Sequence, residues 1–192
     1  RFGTFYEGLA RVCDGALIRN WESRQWLLDQ GFEKKIYSDA NLYGWNQRSR
    51  SFLAENGIWR ATAPVELNRR ELARLGMEGT YLIIYGYLPV MLTANCIQKS
   101  GTGCSRAEGL LFLEDRQKKK FPVKNCCRYC YNIIYNCAPL DLISLADEVE
   151  SLDPAGLRID LTLETKEEAE RILKRCYRTF VLGEKDLPPE GE

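Results

Sequence analysis

The segment Ile58-Trp-Arg-Ala-Thr-Ala-Pro-Val-Glu-Leu-Asn-Arg-Arg-Glu-Leu-Ala-Arg-Leu-Gly-Met-Glu-Gly-Thr-Tyr-Leu-Ile-Ile-Tyr85 decides the fold. Its first six residues are rich in β-branched and aromatic side chains and read as a strand ending at Ala63. Asn68 followed three residues later by Glu71 is the pattern of a capping box, in which each end satisfies a backbone N–H of the other. Leu72 and Leu75 then supply a helical stripe, and Gly76 gives the stop. The apolar run Tyr81–Tyr85 is a second strand, so the segment is one strand-helix-strand unit.

The same cadence extends outward. Upstream, Ala16–Asn20 predicts a strand, with a helix from about Ser23 to Gly31; Lys35–Asp39 predicts another, with a helix over Arg48–Glu55 closed by Asn56-Gly57. Downstream, Leu142, Leu145, Ala146, Val149 and Leu152 mark one helix face and Leu157–Leu161 a strand. Thr165 and Glu168 repeat the capping-box spacing ahead of the stripe Ala169, Ile172, Leu173, Cys176 and Phe180. Strands that return every ~20–25 residues with short helices between them indicate an α/β fold with a parallel sheet.

A (β/α) barrel and a doubly wound sheet share that cadence. No Gly-x-Gly-x-x-Gly turn follows any strand, and polar residues collect at strand ends (Asn20, Asp39-Ala-Asn41, Glu66), where a barrel places its active-site mouth. Five strands are too few to close eight-stranded walls, which take about 250 residues. The expected fold is therefore TIM-barrel-like (β/α) units forming a partial barrel with a cysteine-rich insertion. Residues 1–95 are the βα repeats, 96–137 the insertion and 138–183 the final barrel unit, with 184–192 a frayed tail.

Composition narrows the function classes. Twenty-seven basic side chains balance 27 acidic ones, so global charge points to no partner. No apolar run approaches the ~18–20 residues of a membrane span, and the start lacks the layout of a signal peptide, so the sequence reads as soluble and cytoplasmic. There is no histidine. A serine or cysteine hydrolase of the usual kind then lacks its general base, and a His-Glu-x-x-His zinc protease lacks its ligands.

Five of the eight cysteines (Cys104, Cys126, Cys127, Cys130 and Cys137) fall within 34 residues, with Cys96 just upstream. Crowding of this kind within an ordinary globular chain indicates metal ligation rather than a disulfide scaffold. The spacing Cys96-x7-Cys104-x22-Cys127-x2-Cys130 supplies four soft ligands, with Cys126 and Cys137 as spares, and suits an iron–sulfur cluster or zinc. A redox-active Cys127/Cys130 pair or plain reduced thiols are the alternatives. The intervening segment is glycine-rich and charged, with little apolar material to pack on itself. Cys13 and Cys176 lie in apolar helical patterns and read as small buried hydrophobes.

The stretch Tyr85-Gly-Tyr-Leu-Pro-Val-Met-Leu-Thr-Ala-Asn-Cys96, followed by Phe121-Pro-Val-Lys-Asn-Cys-Cys-Arg-Tyr-Cys-Tyr131, resembles the U32 peptidase (collagenase-like protease) family, in a long-chain bacterial branch. Asp39–Tyr43, Pro64–Leu67 and Leu157–Asp160 are similar to further family segments. The resemblance implies the second half of a β/α barrel that carries a four-iron four-sulfur cluster. It further implies either hydroxylation of an RNA pyrimidine or, by the family's name, peptidase activity. The sequence departs from the family where Pro89 and Ile143 stand in place of two usual cysteines, so Cys104, Cys130 or Cys137 has to replace them.

For acid–base work the candidates are Asp39, Glu66 and Asp160, each at a strand end. For RNA, Arg60, Arg106, Arg116, Lys118, Lys119, Lys120 and Lys124 lie near Tyr129 and Tyr131, offering phosphate neutralisation and stacking. The remaining domains of a parent protein are the other expected partner. A scaffold domain with structural zinc is the third functional class.

Overall fold

A computed structural model describes residues 3–101 and 103–184, with side chains from residue 7 onward. The architecture is mixed α/β. The elements are α1 (Gly3–Val12), β1 (Gly15–Ile18), α2 (Trp21–Asp29), β2 (Lys35–Ser38), α3 (Gln47–Glu55), β3 (Ile58–Thr62), α4 (Arg69–Leu75), β4 (Thr80–Gly86), β5 (Pro89–Thr93) and α5 (Ile97–Gly101). They continue with β6 (Gly109–Glu114), β7 (Lys120–Cys126), β8 (Tyr131–Tyr135), β9 (Leu140–Asp141), α6 (Ala146–Glu150), β10 (Gly156–Asp160) and α7 (Lys166–Phe180). Short 3-10 turns cover Ala40–Leu42, Cys127–Tyr129 and Ile143–Leu145.

All five expected strands form, as β1, β2, β3, β4 and β10. They lie in that order in one sheet, with β9 added antiparallel to β4, and β1 through β4 run parallel. Sequential neighbours without a reversal of order are what successive βα units give, whereas a doubly wound sheet changes direction at a switch point. The expected tail falls largely on residues 185–192, outside the described residues.

Cysteine-rich residues that the sequence reading left without regular structure form a second sheet. It is antiparallel, in the order β5-β8-β7-β6. Alternation failed to reveal these strands because little of either face is buried: Val90, Met91 and Leu92 of β5 and Leu110, Phe112 and Leu113 of β6 are exposed. The long helix expected from Leu142 to Leu152 is instead a 3-10 turn followed by the five-residue α6.

The described chain divides into two compact units, Arg1–Ile83 with Leu145–Arg158, and Ile84–Ser144 with Ile159–Glu192. In the first, Ile18, Leu27, Phe32, Ile36, Leu53 and Ile58 form an apolar core, with Cys13 packed against it. Burying one such side chain is worth about 1.5–3 kcal/mol. The capping box read at Asn68 forms: the Asn68 Oδ1 accepts the N–H of Glu71 at 3.2 Å while Glu71 Oε2 accepts the N–H of Asn68 at 2.8 Å. At the other end of α4, Gly76 takes φ 75°, a left-handed value open to glycine. Arg50 donates to the carbonyls of Leu75 (2.8 Å) and Glu78 (2.6 Å), tying α3 to that turn.

Candidate metal centre

Strand β7 pairs Cys126 with Tyr131 on β8, and the Cys127–Tyr129 turn closes the hairpin between them. Cys130 completes the turn in the left-handed region, φ 53° and ψ 45°, a conformation uncommon for a side chain with a Cβ. Two thiols three residues apart are thereby carried on one tight turn. The Cys127 Sγ donates to the carbonyl of Ala107 at 3.0 Å, which brings the loop that holds Cys104 against the hairpin. Cys96 sits at the start of α5, its Sγ accepting the N–H of Lys99 at 3.4 Å.

The Cys127 thiol pKa is raised, first by desolvation and then by the charges that Cys96, Cys104, Glu108 and Cys130 carry when ionised. Like charges disfavour one another's ionised forms only when they are close. Cys104 and Cys130 are exposed, whereas Cys96 and Cys127 are half-buried. Among the described residues, no three Cys, Asp or Glu side chains stand in the arrangement a single metal ion requires. A tetrahedral zinc with bonds of ~2.3 Å draws its sulfurs to within roughly 4 Å of one another.

The other cysteines have different neighbours. Cys126 stands opposite Tyr131 across the hairpin, and its thiol is the leading cause of that phenol's raised pKa. Cys137 lies beside Tyr87 and adds to its raised pKa. Cys176, on α7, has its thiol pKa raised by burial alone.

Around the hairpin the interior is polar. Asn125 and Asn132 are cross-strand partners, 3% and 2% exposed, beside Pro122, Val123 and Tyr135 as the buried apolar side chains of β7 and β8. Asn132 donates to the Asn95 carbonyl at 3.1 Å and Asn125 to Gln98 Oε1 at 3.3 Å, while Asn125 Oδ1 is buried without a hydrogen-bond partner among the described residues. These two amides hold the segment before Cys96 and α5 to the hairpin. Sequence reasoning missed them, because an Asn in a glycine- and lysine-rich stretch reads as a turn.

The three candidate catalytic carboxylates are not gathered into one unit. Asp39 and Glu66 belong to the first, Asp160 to the second. Asp39, 8% exposed at the end of β2, accepts from Arg158 Nη1 at 2.7 Å, Arg19 Nε at 3.1 Å and the Ala40 N–H at 2.8 Å. Such a carboxylate is held by three donors and its position is fixed. Glu66 is exposed in the loop after β3. Asp160 closes β10, and its backbone passes so near Gly86 that a Cβ there would meet the Asp160 carbonyl oxygen at 2.7 Å.

Of the basic side chains read as an RNA surface, Arg106, Arg116, Lys118, Lys119, Lys120 and Lys124 are exposed. Tyr129 and Tyr131 stack with ring centroids 6.4 Å apart, and Arg128 lies 5.5 Å over the Tyr129 ring. Arg60 is set apart in the first unit, over the Tyr81 ring.

No protein-family model, curated protein or solved structure matches this chain. Among the described residues no helix is long and apolar enough to cross a membrane.

Proposed function

We propose that Cys96, Cys104, Cys127 and Cys130 bind an iron–sulfur cluster at the tip of the antiparallel sheet, in a partial TIM-like barrel of the U32 peptidase kind that takes part in RNA modification. The observation that carries the reading is geometric: one tight turn brings Cys127 and Cys130 together, and the Cys127 Sγ on the Ala107 carbonyl draws in the loop that holds Cys104. The donor type suits the group, four soft thiols from two loops and one turn with two of them exposed, and ligation would have to draw them closer than they stand. The weakly apolar sheet that holds them supports it as well, since a bound metal stabilises a segment whose own packing cannot.

A bound cluster supplies one-electron redox chemistry. The chain's own residues supply the rest. Cys127 and Cys130 ligate from a single turn, the Asn125–Asn132 pair positions the Cys96 loop, and Arg128 with the stacked tyrosines offers a surface on which an unpaired base can stack. Ordered βα units in unreversed sequence support the barrel.

Anaerobic purification tests the proposal. A brown protein containing iron and acid-labile sulfide in equal amounts is expected. A colourless protein with one zinc per chain instead makes the cysteines a structural zinc site, and a metal-free protein refutes both. Hydrolysis of unfolded protein abolished by a single substitution would favour the peptidase reading.

A further inference from the structure

A cavity of about 940 Å³ lies wholly within the second unit, beyond the ends of β4 and β10 and along one face of α7. It is independent of the cysteine centre. Its lining includes the apolar Leu110, Phe112, Pro122 and Pro139 together with Tyr85, Tyr87 and charged side chains. Ligands of parallel α/β sheets bind at the carboxyl ends of strands.

The charges of that lining do not cancel. Asp141 is paired with Arg175 at 2.8 Å, and Glu184 with Arg178. Glu168 closes the α7 capping box and feels Arg171. Glu164 is the remaining carboxylate. Its Oε2 accepts the backbone N–H groups of Thr162 (2.7 Å) and Leu163 (3.0 Å), neutral donors that bring no positive charge.

A second observation singles out the same side chain. The Glu164 Oε1 is removed from water with no partner in hydrogen-bonding geometry among the described residues. An orphaned acceptor carries a standing cost that an entering N–H donor relieves. The side chain as a whole is only partly buried and lines the cavity. Tyr85 and Tyr87 stand beside it: Glu164 follows only desolvation among the causes that raise both phenols, and the Tyr85 hydroxyl lies near enough to add a hydrogen-bond contribution without reaching full hydrogen-bond geometry on Oε1. They therefore remain neutral, as aromatic walls with a hydroxyl.

We infer that this cavity binds a small organic cation, an alkylammonium or guanidinium group held by Glu164 between Tyr85 and Tyr87, with an apolar body lying against Leu110 and Phe112. A carboxylate flanked by aromatic faces is the environment that favours such a group. An anionic ligand would have to displace one of the arginine pairs.

The probes are n-hexylammonium and hexanoate, which share a chain length and differ in the sign of the head group, titrated into the full chain by NMR. Saturable shifts are expected for hexylammonium at residues lining the cavity and none for hexanoate. Glu164→Gln should weaken hexylammonium at least tenfold. Arg171→Ala should tighten it, a gain that misfolding cannot produce. Equal binding of both probes, preference for hexanoate, or insensitivity to both substitutions would overturn the inference. Hexylammonium shifts read the cavity and metal analysis reads the cysteine centre, so the two proposals fail separately.

Discussion

The two sheets of this protein are stabilised by opposite means. Strands β1–β3 and their helices enclose Ile18, Leu27, Phe32, Ile36, Leu53 and Ile58, a contiguous apolar core. The β5–β8 sheet, of similar strand lengths, leaves its edge strands apolar and exposed and buries an asparagine pair at its centre. A buried amide contributes only when its hydrogen bonds are met, and one oxygen of Asn125 is not. The first region is held by apolar packing of its own side chains. The second concentrates six thiols where packing is weakest, which is where a bound inorganic centre adds most to stability.

The largest effect that could break this contrast is loss of the centre itself. Cys127→Ser or Cys130→Ser should cut metal content to about a tenth or less and lower the melting temperature of the second unit's transition, because ligation and folding of the loop are coupled. Cys126→Ser and Cys137→Ser, whose thiols face Tyr131 and Tyr87, should leave metal content as it was. Metal analysis alongside calorimetry decides it, and equal losses in all four variants would erase the distinction among the cysteines.

In the apolar region the converse holds. Leu53, 4% exposed, sits at the centre of the first core, and Leu53→Ala should cost about 2–5 kcal/mol in denaturant unfolding. Metal content per folded chain should not change. A substitution that emptied the centre as well would show that the two regions do not stand on separate footings.

Alkali should sharpen the comparison within the second unit. Tyr85 and Tyr87 both have raised pKa values, caused chiefly by burial and then by Glu164. A phenol whose folded pKa exceeds its unfolded value of 10.0 binds its proton more tightly when folded, so its contribution is complete below that pH and is lost as pH rises through the folded value. Stability should therefore fall above pH ~10, with a late, cooperative rise in tyrosinate absorbance. Tyr87→Phe should reduce the steepness of that loss.

The smallest effect expected is at the helix cap. Thr165 Oγ1 accepts the N–H of Glu168 at 3.2 Å, and Thr165→Ala should cost about 1 kcal/mol. Glu168 has its pKa lowered by the Thr165 backbone and hydroxyl, so its share of the capping box is present above the ordinary value of 4.5 and disappears as pH falls through the depressed one. The acid arm of the unfolding profile should be shallower in Thr165→Ala.

Those two regions also differ in how well the sequence announces them. Asn68 and Glu71, Gly76, and Thr165 and Glu168 were legible because capping chemistry depends on residues three or four apart, and all form as read. The five strands of the first sheet were legible as short apolar runs bounded by turn signals, most plainly Leu82–Tyr85 of β4, whose residues are buried on both faces. In the second sheet Lys120–Cys126 and Gly109–Glu114 mix lysine, glycine and exposed leucine, so neither alternation nor continuity marks them. The candidate thiols were visible as spacing alone. The Ala107 carbonyl contact and the left-handed Cys130 backbone were not legible, and the cavity around Glu164 assembles residues from 85 to 184 that no local pattern connects.

Alkylation of the anaerobically prepared protein, followed by mass spectrometry of each cysteine, tests the central claim most directly. Cys96, Cys104, Cys127 and Cys130 should resist modification together and become reactive together when the metal is chelated, even though Cys104 and Cys130 are exposed in the chain itself. Rapid modification of those two before chelation, with no change in any cysteine afterwards, would contradict it.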